Sequence, residues 1–354
     1  MAALSLRDRD AIVTKEGLIF RVFGYSHPSN AYICDAEYSS SQIFKSNNPK
    51  APRSRGQQVF YKFYEDEGFR FVRAFYPQYL IFHEMLGKDV VGVNRSDIVA
   101  VKKPGERLKE LMSKTPQDEL VAALHNALDY VMKHSNLSAD DFGVFGSLLH
   151  DFYHPEFSDL DFVVYSREKF SKLHQVLRDL YDDECSLFTN EFETDEAVKR
   201  KSWRFHNYSP EEYVWHQRRK LIYSLFRNEK RIIKAEFEPV KEWKEIRGEY
   251  DSKTKVLPKG WVKIFARVTE DYDAPFIPSV YGIAPSNVLH GAKETSEATR
   301  IISYMEEFRM QACRDEKVYV EGNLEEVITP EGSFYQISLT YCPRYYEQTL
   351  KVVS

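Results

Sequence analysis

Residues 142–166 read FGVFGSLLHDFYHPEFSDLDFVVYS, and the segment Asp159-Leu160-Asp161 constrains the fold most strongly. In a β-strand, residues two apart point to the same face, so Asp159 and Asp161 share one face. Leu160, Phe162 and Val164 then face the core. Two carboxylates held so close repel each other, and burial adds to the cost. A divalent cation between them is the simplest way to offset both effects, because Mg²⁺ prefers carboxylate and phosphate oxygens.

The pair Gly146-Ser147 precedes this strand and is preceded by another apolar run. Glycine lets the backbone approach a phosphate closely, and a serine can donate its hydroxyl and its N–H to it. Metal ligands beside a phosphate cradle predict phosphoryl or nucleotidyl transfer. The alternative for either feature alone is a solvated strand end and an ordinary turn.

This pattern resembles the nucleotidyltransferase superfamily, which includes DNA polymerase β, the archaeal CCA-adding enzymes and small antibiotic nucleotidyltransferases. Its motif is an apolar strand, Gly-Ser or Gly-Gly, roughly ten residues, and a strand with two acidic residues flanking an apolar one. Gly146, Ser147, Asp159 and Asp161 match that motif, and Ser158 matches the serine that often precedes the first aspartate. The glycine that often follows the Gly-Ser pair is absent. The resemblance covers about residues 118–240.

The resemblance implies a third carboxylate on a neighbouring strand, and RIIKAEFEPV at residues 231–240 offers Glu236. Glu238 shares the same face and is the alternative. Most members of the family carry aspartate at this position, so a glutamate is a mild departure. By this resemblance Asp159, Asp161 and Glu236 are catalytic and hold Mg²⁺ or Mn²⁺, with a nucleoside triphosphate as substrate.

Positive charge is concentrated between residues 199 and 234, where eleven Lys and Arg residues face three acidic ones. Such a patch would attract a triphosphate or an RNA backbone. Arg218, Arg219 and Lys220 are the predicted phosphate contacts, together with Gly146, Ser147 and Ser158; a solvated helix face is the alternative. His150 and His154 are expected to be surface polar groups, with contact to a nucleotide or a second metal as the alternative.

The coarse pattern predicts an α+β protein with three domains. A β-rich domain spans 1–105, a nucleotidyltransferase-like mixed sheet with helices spans 106–245, and a second β-rich domain spans 246–354. Strands are predicted at FRFVRAFY (69–76), at 231–240 and as a hairpin around ITPEG (328–332). Helices are predicted from Thr115 as N-cap, over REKFSKLHQVLRDLYDD (167–183), and from Ser209 as N-cap through Asn228.

Composition adds few restrictions. The chain of 354 residues is 43% hydrophobic and 29% charged, with a net charge of −5, which neither requires nor excludes a nucleic-acid partner. Four distant cysteines predict a cytoplasmic protein, and charges near the N-terminus argue against a signal peptide. The absence of a long uncharged run predicts no membrane span. Its oligomeric state stays open.

The predicted function is metal-dependent nucleotidyl transfer (EC 2.7.7 type) from a nucleoside triphosphate to a hydroxyl, with release of pyrophosphate. RNA or another nucleic acid is the first acceptor class considered. The alternatives are a nucleotidyltransferase acting on a small molecule or a protein, and a catalytically silent nucleotide- or RNA-binding protein of the same fold.

Overall fold

The computed structural model describes residues 5–64, 66–193, 205–229, 231–247 and 251–353. The chain divides into two compact units. The first comprises residues 1–83, 89–190 and 222–250, and the second comprises 84–88, 191–221 and 251–354. Both helices and mixed sheets are present, which confirms the α+β class. The division into three domains at residues 105 and 245 stays a prediction.

The N-terminal part of the first unit is an eight-stranded sheet with the strand order β4-β5-β3-β2-β1-β8, to which β7 and β6 are added beside β3. The strands are β1 Ala11–Val13, β2 Leu18–Val22, β3 Ala31–Ser40, β4 Pro52–Arg55, β5 Gln58–Lys62, β6 Leu80–His83, β7 Lys88–Asn94 and β8 Ala100–Lys102. This sheet encloses a core that includes Phe20, Tyr32 and Val93.

The aromatic content of residues 69–76 had predicted a strand, and this prediction is wrong. Residues 69–75 belong to helix α1, Glu67–Phe75, and Tyr76 is its C-cap. The buried positions of α1 are Gly68, Phe71 and Val72. These positions are three and four residues apart, so they lie on one face of the helix, which packs against β3. Burial of this face outweighs the β-propensity of the aromatic residues. Helix α2, Pro104–Met112, follows β8.

The second sheet of the first unit, here called the central sheet, has five strands in the order β11-β12-β13-β10-β9. Its strands are β9 Phe142–Val144, β10 Leu160–Tyr165, β11 Phe188–Asn190, β12 Tyr223–Asn228 and β13 Arg231–Val240. Strands β10 and β13 are parallel, whereas β9, β11 and β12 pair antiparallel with their neighbours. The segment Gly146–His150, between β9 and β10, forms a five-residue helix, α4, and not the ordinary turn that was the alternative interpretation of the Gly-Ser pair.

Helices α3 (Glu119–Ser135) and α5 (Arg167–Asp182) contact each other and the central sheet. Tyr130 of α3 packs on Phe188, and Phe188 lies 5.9 Å from Phe237, ring to ring. Phe237 in turn stacks on Phe162 at 5.1 Å. The apolar residues of β10 and β13 therefore face these helices, as the alternation had predicted.

Helix α3 begins later than predicted. Its N-cap is Asp118, whose carboxylate accepts hydrogen bonds from the N–H groups of Leu120 and Val121, both at 3.0 Å. An ionised carboxylate is a strong N-cap and interacts favourably with the helix dipole. Asp118 therefore replaces Thr115, which lies outside the helix.

The helix predicted from Ser209 begins there but is shorter than predicted. Ser209 caps helix α6 (Pro210–Arg219) by accepting from the N–H of Glu212 at 3.2 Å. Leu221 then adopts a left-handed backbone with φ of 55°, and the following residues form β12 instead. Pairing with β13 outweighs the helical pattern in this stretch.

The second unit contains α6 and a six-stranded sheet in the order β14-β15-β16-β18-β17-β19, and an additional pairing of β14 with β17 closes it into a barrel. Its strands are β14 Lys255–Glu270, β15 Ser279–His290, β16 Ala298–Ser303, β17 Lys317–Thr329, β18 Gly332–Leu339 and β19 Thr349–Val352. The predicted hairpin of β17 and β18 is confirmed. One-turn 3₁₀ helices occur in both units at Pro77–Tyr79, Arg95–Asp97, Ala139–Asp141, Trp243–Glu245, Lys293–Glu297, Glu306–Phe308 and Tyr345–Glu347.

Candidate active site

The parallel pairing of β10 with β13 brings two of the predicted acidic residues level with each other. Asp161 is the register partner of Glu236, just as Leu160 partners Ala235 and Phe162 partners Phe237. Residues in register on adjacent strands point to the same face, with the strands about 4.8 Å apart. The face opposite the helices therefore carries Asp161 and Glu236 side by side.

Asp159 lies immediately before the first residue of β10. Burial raises the pKa of Asp161, the negative charge of Asp159 raises it further, and the result is a pKa of about 7. The two aspartates are thus close enough to repel each other, which is the situation that a bound cation relieves. Among the described residues, no group of three or more His, Cys, Asp or Glu side chains is arranged to hold a metal ion.

Gly146 begins α4 at the point where the chain passes the Asp161 carboxylate. Its φ is +60°, and a Cβ at this position would lie 2.4 Å from Oδ2 of Asp161. The N–H of Phe145 donates to the carbonyl of Asp161 at 3.0 Å, which holds the two segments together. The structure therefore gives Gly146 a role that the sequence had not indicated, because the residue leaves room for a carboxylate.

The two predicted serines are close together, with Ser147 in α4 and Ser158 in the loop before β10. The hydroxyls of Ser147 and Ser158 are 3.4 Å apart, and the N–H of His154 donates to Ser158 Oγ at 2.8 Å. Ser147 is 7% exposed. Their contact with a nucleotide stays a prediction.

The two loop histidines differ. His154 accepts a hydrogen bond at Nδ1 from the N–H of Glu156, at 3.1 Å. His150 is 1% exposed, so its predicted surface position is wrong. Its Nε2 lies 3.8 Å from the Glu37 carboxylate, too far for a hydrogen bond, and neither ring nitrogen has a hydrogen-bond partner in the described part of the chain. Burial lowers the pKa of His150, while Glu37 opposes that shift.

Glu238, the alternative third carboxylate, lies level with Val163 and forms a buried ion pair with Arg9. Their side chains are 5% and 1% exposed. Arg9 also lies over the Phe145 ring, at 5.2 Å from its centroid. The charge of Glu238 is therefore neutralised by a residue of the N-terminal segment.

Arg218, Arg219 and Lys220 belong to the second unit. Arg218 lies 3.7 Å from Glu193, and Arg219 pairs with Glu316 and stacks on Trp215. Lys220 is fully buried and donates from Nζ to the carbonyl of Glu307 at 2.6 Å. Their contact with phosphate stays a prediction. Five other residues of the basic patch, Lys199, Arg200, Lys201, Arg204 and Lys230, lie outside the described residues.

Three charged residues near this site were missed by sequence reasoning, namely Arg9, Glu37 and Lys62, all from the N-terminal sheet or the segment before it. Burial raises the pKa of Glu37, but the nearby His150 and the positive charges of Arg21 and Lys62 outweigh that effect and lower it. No sequence signal connects these residues with the central sheet, because the connection is made only by tertiary packing.

Comparison with known proteins agrees with this geometry. Residues 131–247 match the model of the nucleotidyltransferase domain family. The chain is 26% identical to the uncharacterized protein MJ1086 of Methanocaldococcus jannaschii over 345 residues. The aligned region covers 94% of each of the two chains. No solved structure matches the chain. No helix in the described part of the chain is long and apolar enough to cross a membrane.

Proposed function

Since residues 131–247 form a nucleotidyltransferase domain, we propose that this chain transfers a nucleoside monophosphate from a nucleoside triphosphate to a hydroxyl group. The observation that supports this proposal most directly is the placement of Asp161 beside Glu236, with Asp159 just before the same strand. The acceptor oxygen forms a bond to the α-phosphorus, and the bond from that phosphorus to pyrophosphate breaks. The hydroxyl proton leaves to a carboxylate or to water.

Asp159 and Asp161 fit a divalent cation. Their oxygens are the ligands that Mg²⁺ and Mn²⁺ prefer, and their mutual repulsion is the cost that a cation would remove. Glu236, in register with Asp161, is the candidate for a third ligand, although the three side chains are not arranged around one metal position here. When bound, such ions neutralise charge on the phosphates and help to ionise the acceptor hydroxyl.

The chain's own residues would orient the substrate. Gly146 leaves space for the Asp161 carboxylate, and Ser147, at the start of α4, would donate to the triphosphate. Arg218, Arg219 and Lys220 stay candidates for phosphate contact. Glu238 has a structural role in this proposal, because Arg9 neutralises it.

The acceptor is proposed to be RNA or another nucleic acid, with a small molecule or a protein side chain as the alternative. The test is incubation of the full chain with each α-labelled nucleoside triphosphate, Mg²⁺ or Mn²⁺, and total cell extract. Ribonuclease, deoxyribonuclease and protease treatment of the labelled fraction would then identify the acceptor class. Asp159→Asn serves as the inactive control, because it removes one of the two paired carboxylates.

We expect label transfer by the wild type and none by Asp159→Asn. If nucleotide binds but no triphosphate gives a labelled product, the chain is a silent binding protein and the proposal is wrong. Equal labelling by wild type and Asp159→Asn would also contradict it.

A further inference from the structure

The N-terminal sheet packs directly on the loop that follows α4. Phe152 of this loop is contacted by Tyr38 of β3, at 4.8 Å between ring centroids, and by Phe60 of β5, at 5.2 Å. The N–H of Phe152 donates to the carbonyl of Ser147 at 3.3 Å. One face of β3 and β5 is therefore fixed against the Gly146-Ser147 segment.

Lys62 lies on that same face. It is the register partner of Tyr38, and it is two residues from Phe60 along β5. Cross-strand partners and residues two apart share a face of the sheet, so Lys62 points toward the side on which Tyr38 and Phe60 meet Phe152.

A β-bulge brings Glu37 to this side as well. Ile19 of β2 pairs with Tyr38 and the next residue, Phe20, pairs with Ala36, so Glu37 is the extra residue. A bulge redirects a side chain that would otherwise face the opposite way. The Glu37 carboxylate accordingly lies near His150.

Lys62 acts on the charge of the Glu37 carboxylate, and among the residues that the structure describes it forms no hydrogen bond with it. Burial raises the pKa of Glu37, and the positive charge of Lys62 is among the influences that lower it. Within the described residues, its Nζ has one assigned contact, the ring of Tyr64 at 5.8 Å. A half-buried ammonium without a hydrogen-bond acceptor keeps all three donors for a ligand.

We propose that Lys62 binds the phosphate groups of the nucleoside triphosphate, so that the N-terminal sheet supplies part of the nucleotide site. The proposal rests on the proposed function. Lys62 lies well outside residues 131–247, which match the family model, so the contact would come from this chain's own N-terminal architecture. A lysine acts on a polyphosphate as a compact point charge with mobile donors.

The test uses inorganic tripolyphosphate with Mg²⁺ as a probe, since it carries the phosphate chain without a base. Its affinity for the full-length wild type, Lys62→Met, Lys62→Arg and Lys15→Met is measured by isothermal titration calorimetry. Lys15 is the matched control, because it belongs to the same sheet region and its side chain is 78% exposed. Nucleotide turnover and the melting temperature are measured on the same four proteins.

We expect Lys62→Met to weaken tripolyphosphate binding by about ten- to one-hundredfold, as loss of one charge-assisted hydrogen bond does. Lys62→Arg and Lys15→Met should stay within about threefold of wild type. In turnover, Lys62→Met should raise KM for the triphosphate more than it lowers kcat, because the contact exists before the transition state.

Equal tripolyphosphate affinity in wild type and Lys62→Met, at unchanged melting temperature, would overturn the role of Lys62 and leave nucleotidyl transfer intact. Undetectable binding to the wild type would overturn it too. Conversely, Lys62-dependent binding without turnover of any triphosphate would support Lys62 and refute the transfer reaction. If Lys62 were only a counter-ion for the carboxylates, Lys62→Met would lower the melting temperature without a specific loss of tripolyphosphate affinity.

Discussion

Substitution of Gly146 by alanine tests how closely the backbone must pass the carboxylate of Asp161, which is proposed to be catalytic. The new Cβ would lie 2.4 Å from Oδ2, 3.3 Å from Cγ and 3.7 Å from Cβ of Asp161. The backbone at Gly146 is also left-handed, with φ of +60°. Alanine therefore adds two separate costs, a conformational strain and a collision with a short side chain.

The two costs have different consequences. An alanine in the left-handed region costs about 1–2 kcal/mol of folding free energy. Relief of the collision requires the carboxylate to move by about 1 Å to reach an ordinary contact distance, and a misplacement of that size typically costs about a hundredfold in rate. We expect Gly146→Ala to lose about 1–3 kcal/mol in stability and about a hundredfold in turnover.

Gly87→Ala is the matched control. Gly87 has nearly the same backbone, with φ of +61°, but no atom lies within 4 Å of its ideal Cβ. It should lose about 1–2 kcal/mol from strain alone and keep its activity. Urea unfolding gives the stability of each protein, and label transfer under saturating triphosphate gives the rate.

The reasoning is refuted if Gly146→Ala turns over within about threefold of wild type. It is also refuted if Gly87→Ala loses as much activity as Gly146→Ala, because strain without the collision would then be sufficient.

Two further predictions concern the carboxylates. The pKa of Asp161 is raised to about 7 in the folded protein, so proton binding to this carboxyl favours the folded state. This contribution to the free energy of unfolding is complete below about pH 4 and is lost as pH rises through about 7. In chelator, Asp161→Asn should therefore gain stability relative to wild type over that pH range by urea unfolding, and parallel curves would contradict this. Glu236→Gln should lower kcat strongly with stability kept. Glu238→Gln should cost about 3 kcal/mol, because the buried Arg9 would lose this partner and keep the Asp8 carboxylate at 3.8 Å, yet activity per folded molecule should be kept. The reverse pattern in rates would assign the third carboxylate to Glu238.

Much of the central sheet could be predicted from local pattern. Leu160, Phe162 and Val164 are fully buried, and the nucleotidyltransferase domain expected from the Gly-Ser and Asp-Leu-Asp segments is confirmed by the family match. Strand alternation has a period of two and depends on neighbours in the chain, so sequence shows it directly. The alternation also placed Glu236 and Glu238 on one face of the same strand, but alternation alone does not decide which of them is the third carboxylate.

The errors and omissions have a common physical origin. Helix α1 and strand β12 were misassigned because burial against β3 and pairing with β13 outweighed local propensity. Lys62 and Arg9 were missed because the carboxylates whose charge they affect, Glu37 and Glu238, belong to other strands of the fold. The residues adjacent to Lys62 and Arg9 in the sequence do not indicate the tertiary packing that brings each of them to the site.

The ion pair of Arg9 with Glu238 also sets an order for biosynthesis. The partners are separated by 229 positions, and the chain leaves the ribosome N-terminus first. At about 5–20 residues per second, Glu238 emerges about 10–50 s after Arg9. In a nascent chain that has completed only its first sheet, this guanidinium has the Asp8 carboxylate at 3.8 Å but not Glu238, and burying it without that partner would be destabilising. The segment around Arg9 can therefore adopt its buried position only after β13, the strand that carries Glu238, has been translated.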